Sequence, residues 1–511
     1  MKGSENTSDH ESQALSSKVE QFLTEISNKL MFFSLWWKDI DDENAKRILK
    51  DLGKHSEMMG RSRRFNKYAL SESEEKVMNI KDSTGSSAMI NIYEIITNAY
   101  TYDFNGKKGL SREEVSENVK NPNPKLREKA YETLLGRYGD EESVLGEIYR
   151  SVVLDWVNEG VKLRKYSSPI SVRNLGNNIP DKTIDALLNV CRKNVTILQE
   201  YFRLKAKILK MKKLRRYDLY APLNDVSKDY KFEEAKGIVF NVFKDFDDEF
   251  YEKAKRMFDK KHVHSDIQKG KRDGAFSLSI VPELDPYVLL NYVGKYKDVT
   301  TMAHELGHAI HDMMAEDKTI FDFHAPIPLA ETASIFSEML LEEKLLKDGM
   351  EKDEKIDLLA TQLDGIYASI IRQAYFTLFE IKAHEMIREG CTVKDLNKEW
   401  MRNLKEQFGN SVELNDVFQH EWKYIPHIYH TPFYCYAYAF GNLLVLSLFN
   451  MYKKEGKSFI PKYKKILSYG GSKAPGDVLK EVGIDISKEE FWQSGFDVIN
   501  EMVENLKKEL E

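Results

Sequence analysis

The run His304-Glu305-Leu306-Gly307-His308 is the part of this 511-residue chain best equipped to do chemistry. In a helix, residues four apart project from one face a turn apart, so His304 and His308 can offer two imidazole nitrogens to a single ion. Glu305 points beside that face, where its carboxylate can reach a water on the metal without being a ligand. With 12 histidines in the chain, the pattern would arise by chance in roughly 2 of 100 such sequences, so its surroundings have to carry the rest of the argument. Gly307 costs about 1 kcal/mol against alanine in a helix interior, which points either to close approach of another backbone or to a tolerated glycine.

A catalytic zinc ion usually takes three protein ligands and keeps an open position for water. Glu331, 23 residues after His308, opens the next predicted helix and can be carried back over the histidine face. His324 and Glu338 compete for the same role. The longer HExxHxxGxxH pattern would need glycine at position 311 and histidine at 314, where this chain has His311 and Met314. His311 is therefore expected beside the site or in a structural role.

The elements that must position these residues are mostly helices. Residues 1–17 are polar and expected to be disordered; from Val19 through Phe202 apolar residues recur every three or four positions, giving an N-terminal helical lobe over 18–205 and a catalytic lobe over 206–511. Between Gly274 and Val293 the period changes: Phe276, Leu278 and Ile280 alternate with small residues, and a proline-bounded turn leads to Tyr287-Val-Leu-Leu, which reads as a β-hairpin. Helical spacing then resumes over 299–314, with Asp298 placed to cap it, and again over 329–346 after Pro326 and Pro328. Thr431-Pro432 reads as the N-cap and first position of an aromatic helix over 433–449, and YGGSKAPG at 469–476 as a loop.

Composition excludes several functions. A net charge of -6 with pI near 6.1 gives no long-range attraction for phosphate backbones, so nucleic acid is not an expected partner. The one basic stretch, 203–216, carries Leu204, Ile208, Met211 and Leu214 at helical spacing and reads as a solvated helix face. Cys191, Cys391 and Cys435 form neither a disulfide framework nor a thiolate metal site, and the chain has no apolar signal core or membrane span. A soluble cytoplasmic protein with no membrane partner is expected.

Several segments taken together resemble the oligoendopeptidase F branch of the thimet oligopeptidase-type zinc metallopeptidases. They include YSSPISVRNL (166–175), RYDLYAPL (216–223), GKRDGAFSLSI (270–280), YVLLNYVGKYKDVTTMAHELGHAIH (287–311), LAETASIFSE (329–338), IPHIYHTPFYCYAYAFG (425–441) and LSYGGSKAPGDVLKEVGID (467–485). The resemblance covers most of the chain; residues 30–49 resemble a segment that in the family follows a longer N-terminal region. It implies a mainly α, large two-lobed helical fold with a small hairpin or sheet beside the zinc helix and a deep channel for short unstructured peptides. It further implies one Zn2+ ion held by His304, His308 and Glu331, with Glu305 as general base. A histidine and a tyrosine from the late aromatic segment would stabilise the tetrahedral intermediate; His427 and Tyr434 match best, with Tyr436 and Tyr438 as alternatives. The expected activity is internal cleavage of short peptides. A zinc carboxypeptidase, needing a cation for the substrate carboxylate, and a non-catalytic peptide-binding protein on the same fold are the rivals.

Overall fold

The three-and-four spacing of apolar residues becomes a succession of helices, interrupted among the described residues by three small sheets. The computed structural model describes residues 10–223 and 228–511. Of the segment expected to be disordered, residues 1–9 lie outside the described residues, and a helix, His10–Asp39, covers the rest. Cα packing divides the chain otherwise than at 205/206. One unit comprises Met1–Lys67, Ser227–Gly349 and Leu448–Ile484; the other comprises Tyr68–Val226, Met350–Ser447 and Asp485–Glu511. Both units are built from distant stretches of sequence, which a linear reading of periodicity has no means of pairing.

The first unit contains the HELGH run. Its core is aromatic, with Phe336 stacked on Tyr463 at 4.3 Å and meeting Phe449 edge-on at 5.4 Å. Against this core lie α1 (Tyr296–Met314) and α2 (Thr332–Lys347). Val299, Met302, Ala303, Leu306 and Ile310 form the fully buried stripe of α1. Asp298 does serve its N-terminus, from inside the first turn, accepting the backbone N–H groups of Lys295 (2.9 Å) and Val293 (3.0 Å). The helix starts at Tyr296, earlier than the spacing suggested.

At Gly307 the two helices touch. A Cβ there would lie 2.6 Å from the Ala333 carbonyl oxygen and 2.7 Å from the Ser334 Cα, so only glycine allows the approach. The predicted helix over 329–346 is in fact broken: a four-residue helix, Ile327–Ala330, precedes α2, and Glu331 sits at the junction with φ -87 and ψ 7. The Tyr463 hydroxyl donates to the Thr332 carbonyl at 2.9 Å and fixes the entry to α2.

The hairpin is present. Strand β2 (Phe276–Leu278) pairs antiparallel with β3 (Tyr287–Leu289), and β1 (Val263–His264) adds a parallel strand that its two residues could not announce. The order β1-β3-β2 leaves β2 at an edge.

In the second unit, Trp400, Trp422, Phe379 and Tyr149 build the core, and Tyr429 stacks on Tyr93 at 4.0 Å. Helix α3 (Arg372–Arg388) supplies the buried carboxyl of Glu380, and helix Pro169–Gly176 the partly buried guanidinium of Arg173, beside the late aromatic segment. That segment departs from expectation. Phe433 has φ 59, outside helical space, so Thr431-Pro432 opens a turn and the helix begins only at Tyr436. The basic stretch is not simply a solvated face either. Its helix ends at Ile208; Lys205, 0% exposed, is neutralised by Asp364 at 2.5 Å, and buried Arg216 by Glu421 at 2.5 Å. The Lys205 stem continues the helix's buried stripe and the Arg216 guanidinium lies over the Phe418 ring, while both charges find partners. A two-stranded ribbon, Tyr102–Phe104 with Lys107–Leu110, interrupts the helical lobe at Asn105-Gly106, both with positive φ.

Candidate metal centre and active site

Helix α1 projects His304 and His308 one turn apart, and the junction before α2 aims Glu331 at both. The two Nε2 atoms are 3.2 Å apart. The Glu331 Oε2 lies 3.4 Å from the His304 Nε2 and 3.3 Å from the His308 Nε2. An ion with ligand bonds of about 2.0–2.2 Å in a tetrahedron separates its ligand atoms by roughly 3.3–3.6 Å, so this near-equilateral triangle fits zinc. The donor set agrees, because Glu305, Glu331 and Glu338 surround two imidazoles and leave the cluster short of positive charge. Glu338 is not part of the triangle. It hydrogen-bonds the outer nitrogen, Nδ1, of His304 and turns the inner one toward Glu331. His324 is exposed and outside the cluster.

The electrostatics show the same demand. Burial pushes the Glu331 carboxyl up, yet His308, His304 and the Ser334 hydroxyl outweigh this and hold it at about 2. Burial opposes protonation of His304, but Glu338, with Glu331 and Glu305, raises it to about 9. His311 is buried against the backbone of Ala330, and burial lowers it to about 4, so it is a neutral structural neighbour, as expected.

Glu305 is 6% exposed. Its burial raises its pKa, against the pull of His304 and His308, and the backbone N–H of Ser277 in β2 hydrogen-bonds to it. A carboxylate with raised affinity for a proton, held between the imidazoles and the edge strand, is suited to general base work. Beside it opens a cavity of about 520 Å³, lined by Gly274, Asn291, Lys297, Thr301, His304 and Glu305 among others.

In the second unit, His427 and Tyr434 lie with ring planes 12° apart and centroids 6.1 Å apart. Tyr438 joins them, 6.0 Å from His427 and 5.3 Å from Tyr434. It is 38% exposed, and burial together with a hydrogen bond that its hydroxyl donates to Tyr434 raises it to about 12. Burial, with His430 and Arg372, lowers the pKa of His427, which favours its neutral form. Tyr436 is different: it is 0% exposed, and its hydroxyl accepts from the Asn177 side chain at 2.8 Å. Tyr436 is a core residue, which leaves Tyr434 and Tyr438 as the phenols able to meet a ligand.

Residues 118–498 match peptidase family M3. The chain belongs to that family. It is 30% identical over 465 residues to an oligoendopeptidase F homolog of Borreliella burgdorferi, covering 87% of this chain and 76% of the relative. It is 26% identical over 525 residues to oligopeptidase PepF of Bacillus subtilis, covering 99% and 77%. A crystal structure from Chlamydophila abortus superposes with TM-score 0.93 at 25% identity, covering 99% of this chain and 86% of that one. Oligoendopeptidase-F of Enterococcus faecium gives 0.76 at 20% identity, covering 100% and 88%, a likeness of fold. The M3 peptidases are metallopeptidases, and this chain is a peptide hydrolase of that kind.

Sequence reasoning weighed Glu338 only as a ligand. Its place seven residues after Glu331, two turns along one helix face, was the available signal for a residue that instead supports His304. The Ser277 N–H beside Glu305 had no signal, because a backbone donor carries no residue type. Nor did Arg173 and Glu380, whose contacts with the Pro432-Phe433 peptide join three distant segments.

Proposed function

We propose that this M3 peptidase is a zinc-dependent oligoendopeptidase that hydrolyses internal bonds of short, unstructured peptides. The observation that carries the proposal is the triangle of His304, His308 and Glu331, with Glu305 buried beside it. These three side chains would hold one Zn2+ ion, which supplies Lewis acidity and lowers the pKa of water to about 7 when bound. Glu305 takes the proton of the attacking water, which its raised pKa favours, and passes it to the leaving amine. Glu338 keeps the His304 ring oriented. His427 and Tyr434 donate hydrogen bonds to the carbonyl oxygen as it gains charge, an assignment supported by the family resemblance and by their convergence with Tyr438. Strand β2, at the edge of its sheet, receives an extended peptide as an added strand. The free thiols of Cys191, Cys391 and Cys435 fit a reducing cytoplasm.

The test is digestion of a mixed peptide library blocked at both ends, with cuts mapped by mass spectrometry before chelation, after chelation, and after adding zinc back. Internal cuts that vanish and return are expected. Cleavage confined to peptides with a free C-terminus would favour the carboxypeptidase instead, and no cleavage of any peptide by zinc-loaded protein would refute the proposal.

A further inference from the structure

The turn that delivers Tyr434 has a geometry its own side chains do not favour. The Tyr434 N–H returns to the Thr431 carbonyl at 3.1 Å, closing Thr431-Pro432-Phe433-Tyr434 as a β-turn with Phe433 at φ 59. Proline at the second position and positive φ at the third are the marks of a type II turn, whose third position normally holds glycine or asparagine. A phenylalanine there is crowded by its own backbone. The type I alternative would keep negative φ at both central residues, and it differs mainly by a flip of the peptide between them.

Two side chains, a guanidinium and a buried carboxyl, grip that central peptide at its opposite poles. Arg173, from helix Pro169–Gly176, donates through Nε to the Pro432 carbonyl at 3.1 Å. The Phe433 N–H donates to the Glu380 Oε1 at 2.8 Å. Glu380 is 0% exposed, and its other oxygen, buried too, has no hydrogen-bond partner. Flipping the peptide would turn a carbonyl toward the Glu380 oxygen that now accepts and an N–H toward the guanidinium, losing both bonds. The Phe433 ring is buried against His384 at 4.5 Å, so the turn is also packed in place.

We propose that Glu380 and Arg173 are positioning residues that hold the Pro432-Phe433 peptide in its flipped orientation and so set where Tyr434 presents its phenol. This rests on the reading of Tyr434 as a hydrogen-bond donor to substrate. Glu380→Gln keeps an oxygen to accept the Phe433 N–H and stays within about threefold of wild-type kcat. Glu380→Met keeps the bulk but loses the acceptor; kcat falls about tenfold or more while KM changes less than about twofold. The decisive measurement is the combination with Tyr434→Phe. Glu380→Met then adds no further loss, because positioning has no value without the hydroxyl. Losses that multiply, or full kcat in Glu380→Met, would overturn the proposal. Should Glu380→Met fail to fold by circular dichroism, Arg173→Met tests the other pole of the same peptide in the same cycle. If Tyr434→Phe alone keeps wild-type kcat, the donor assignment itself falls, and a Glu380→Met loss persisting in that background would then refute positioning independently.

Discussion

The two groups of candidate catalytic residues are built in opposite ways. His304, Glu305 and His308 sit on a continuous helix, whose regular geometry, with one prop from Glu338, brings the two histidine nitrogens within 3.2 Å. His427, Tyr434 and Tyr438 come from a four-residue helix, a strained turn and the start of another helix. The first group is held by backbone periodicity, the second by side chains from other segments, namely Arg173, Glu380 and Asn177. A site built on periodicity should tolerate changes around it and fail at the reacting atoms. A site built on distant props should also fail at the props.

The largest effect that could break this contrast is at Glu305. Glu305→Gln is expected to lower kcat/KM by about 10⁴-fold while metal analysis finds zinc content unchanged; Glu331→Gln should lose the metal as well. Equal zinc loss in both would mean that Glu305 is a ligand rather than a base. In the second group, Tyr434→Phe should lower kcat by about 10²-fold with modest change in KM, whereas Tyr436→Phe should leave kcat alone and cost about 1 kcal/mol of stability for its bond with Asn177. If steady-state kinetics gave the reverse ranking, the register of the segment would have to be redrawn.

Smaller effects sharpen the comparison through stability. Gly307→Ala forces apart two backbones, so chemical denaturation should show a loss of about 1–3 kcal/mol, accompanied by weaker zinc retention as Glu331 moves from the histidines. Unchanged stability would mean that α1 and α2 can separate freely. At Glu380 the prediction is a pH dependence. Burial, only partly offset by the Phe433 N–H and Arg173, lifts this carboxyl to about 8. A folded-state pKa above the unfolded value means that wild-type stability falls as pH rises from about 4.5 toward 8, since only the unfolded chain releases the proton freely. Glu380→Gln removes that linkage. Its stability should match wild type near pH 5 and exceed it by roughly 3 kcal/mol or more at pH 8, read from denaturation curves at each pH; parallel curves would show that Glu380 is ionised in the native protein.

How far the sequence could be read follows the same division. The HELGH helix and the hairpin ahead of it were visible as local spacing, Glu331 stood beside His324 and Glu338 until the family resemblance favoured it, and of the two readings of Gly307 the close approach is the one that the Ala333 and Ser334 backbone supplies. The break at Glu331 was not visible, because nothing in PLAETAS forbids a continuous helix; the contacts of Thr332 and Gly307 impose it. The ribbon at Asn105-Gly106 carried a strong hairpin signal that the surrounding helical pattern masked. Phe433 misled most, since proline followed by an apolar run suits a helix start as well as a turn, and the groups that decide the matter, Arg173 and Glu380, lie 259 and 53 residues away. The two compact units, each assembled from three separate stretches, are a property of long-range packing that local periodicity does not encode.

The contact at Gly307 reaches further than helix packing. With backbone pressed on backbone, the main chains that carry His304, His308 and Glu331 are fixed against one another, so an ion held by these three side chains would need little reorganisation of the chain. Such a frame selects by donor type. Two imidazole nitrogens and one carboxylate, with edges of 3.2, 3.3 and 3.4 Å, suit a small ion that accepts nitrogen ligands, whereas calcium, which takes six or more oxygen ligands, would find one carboxylate here.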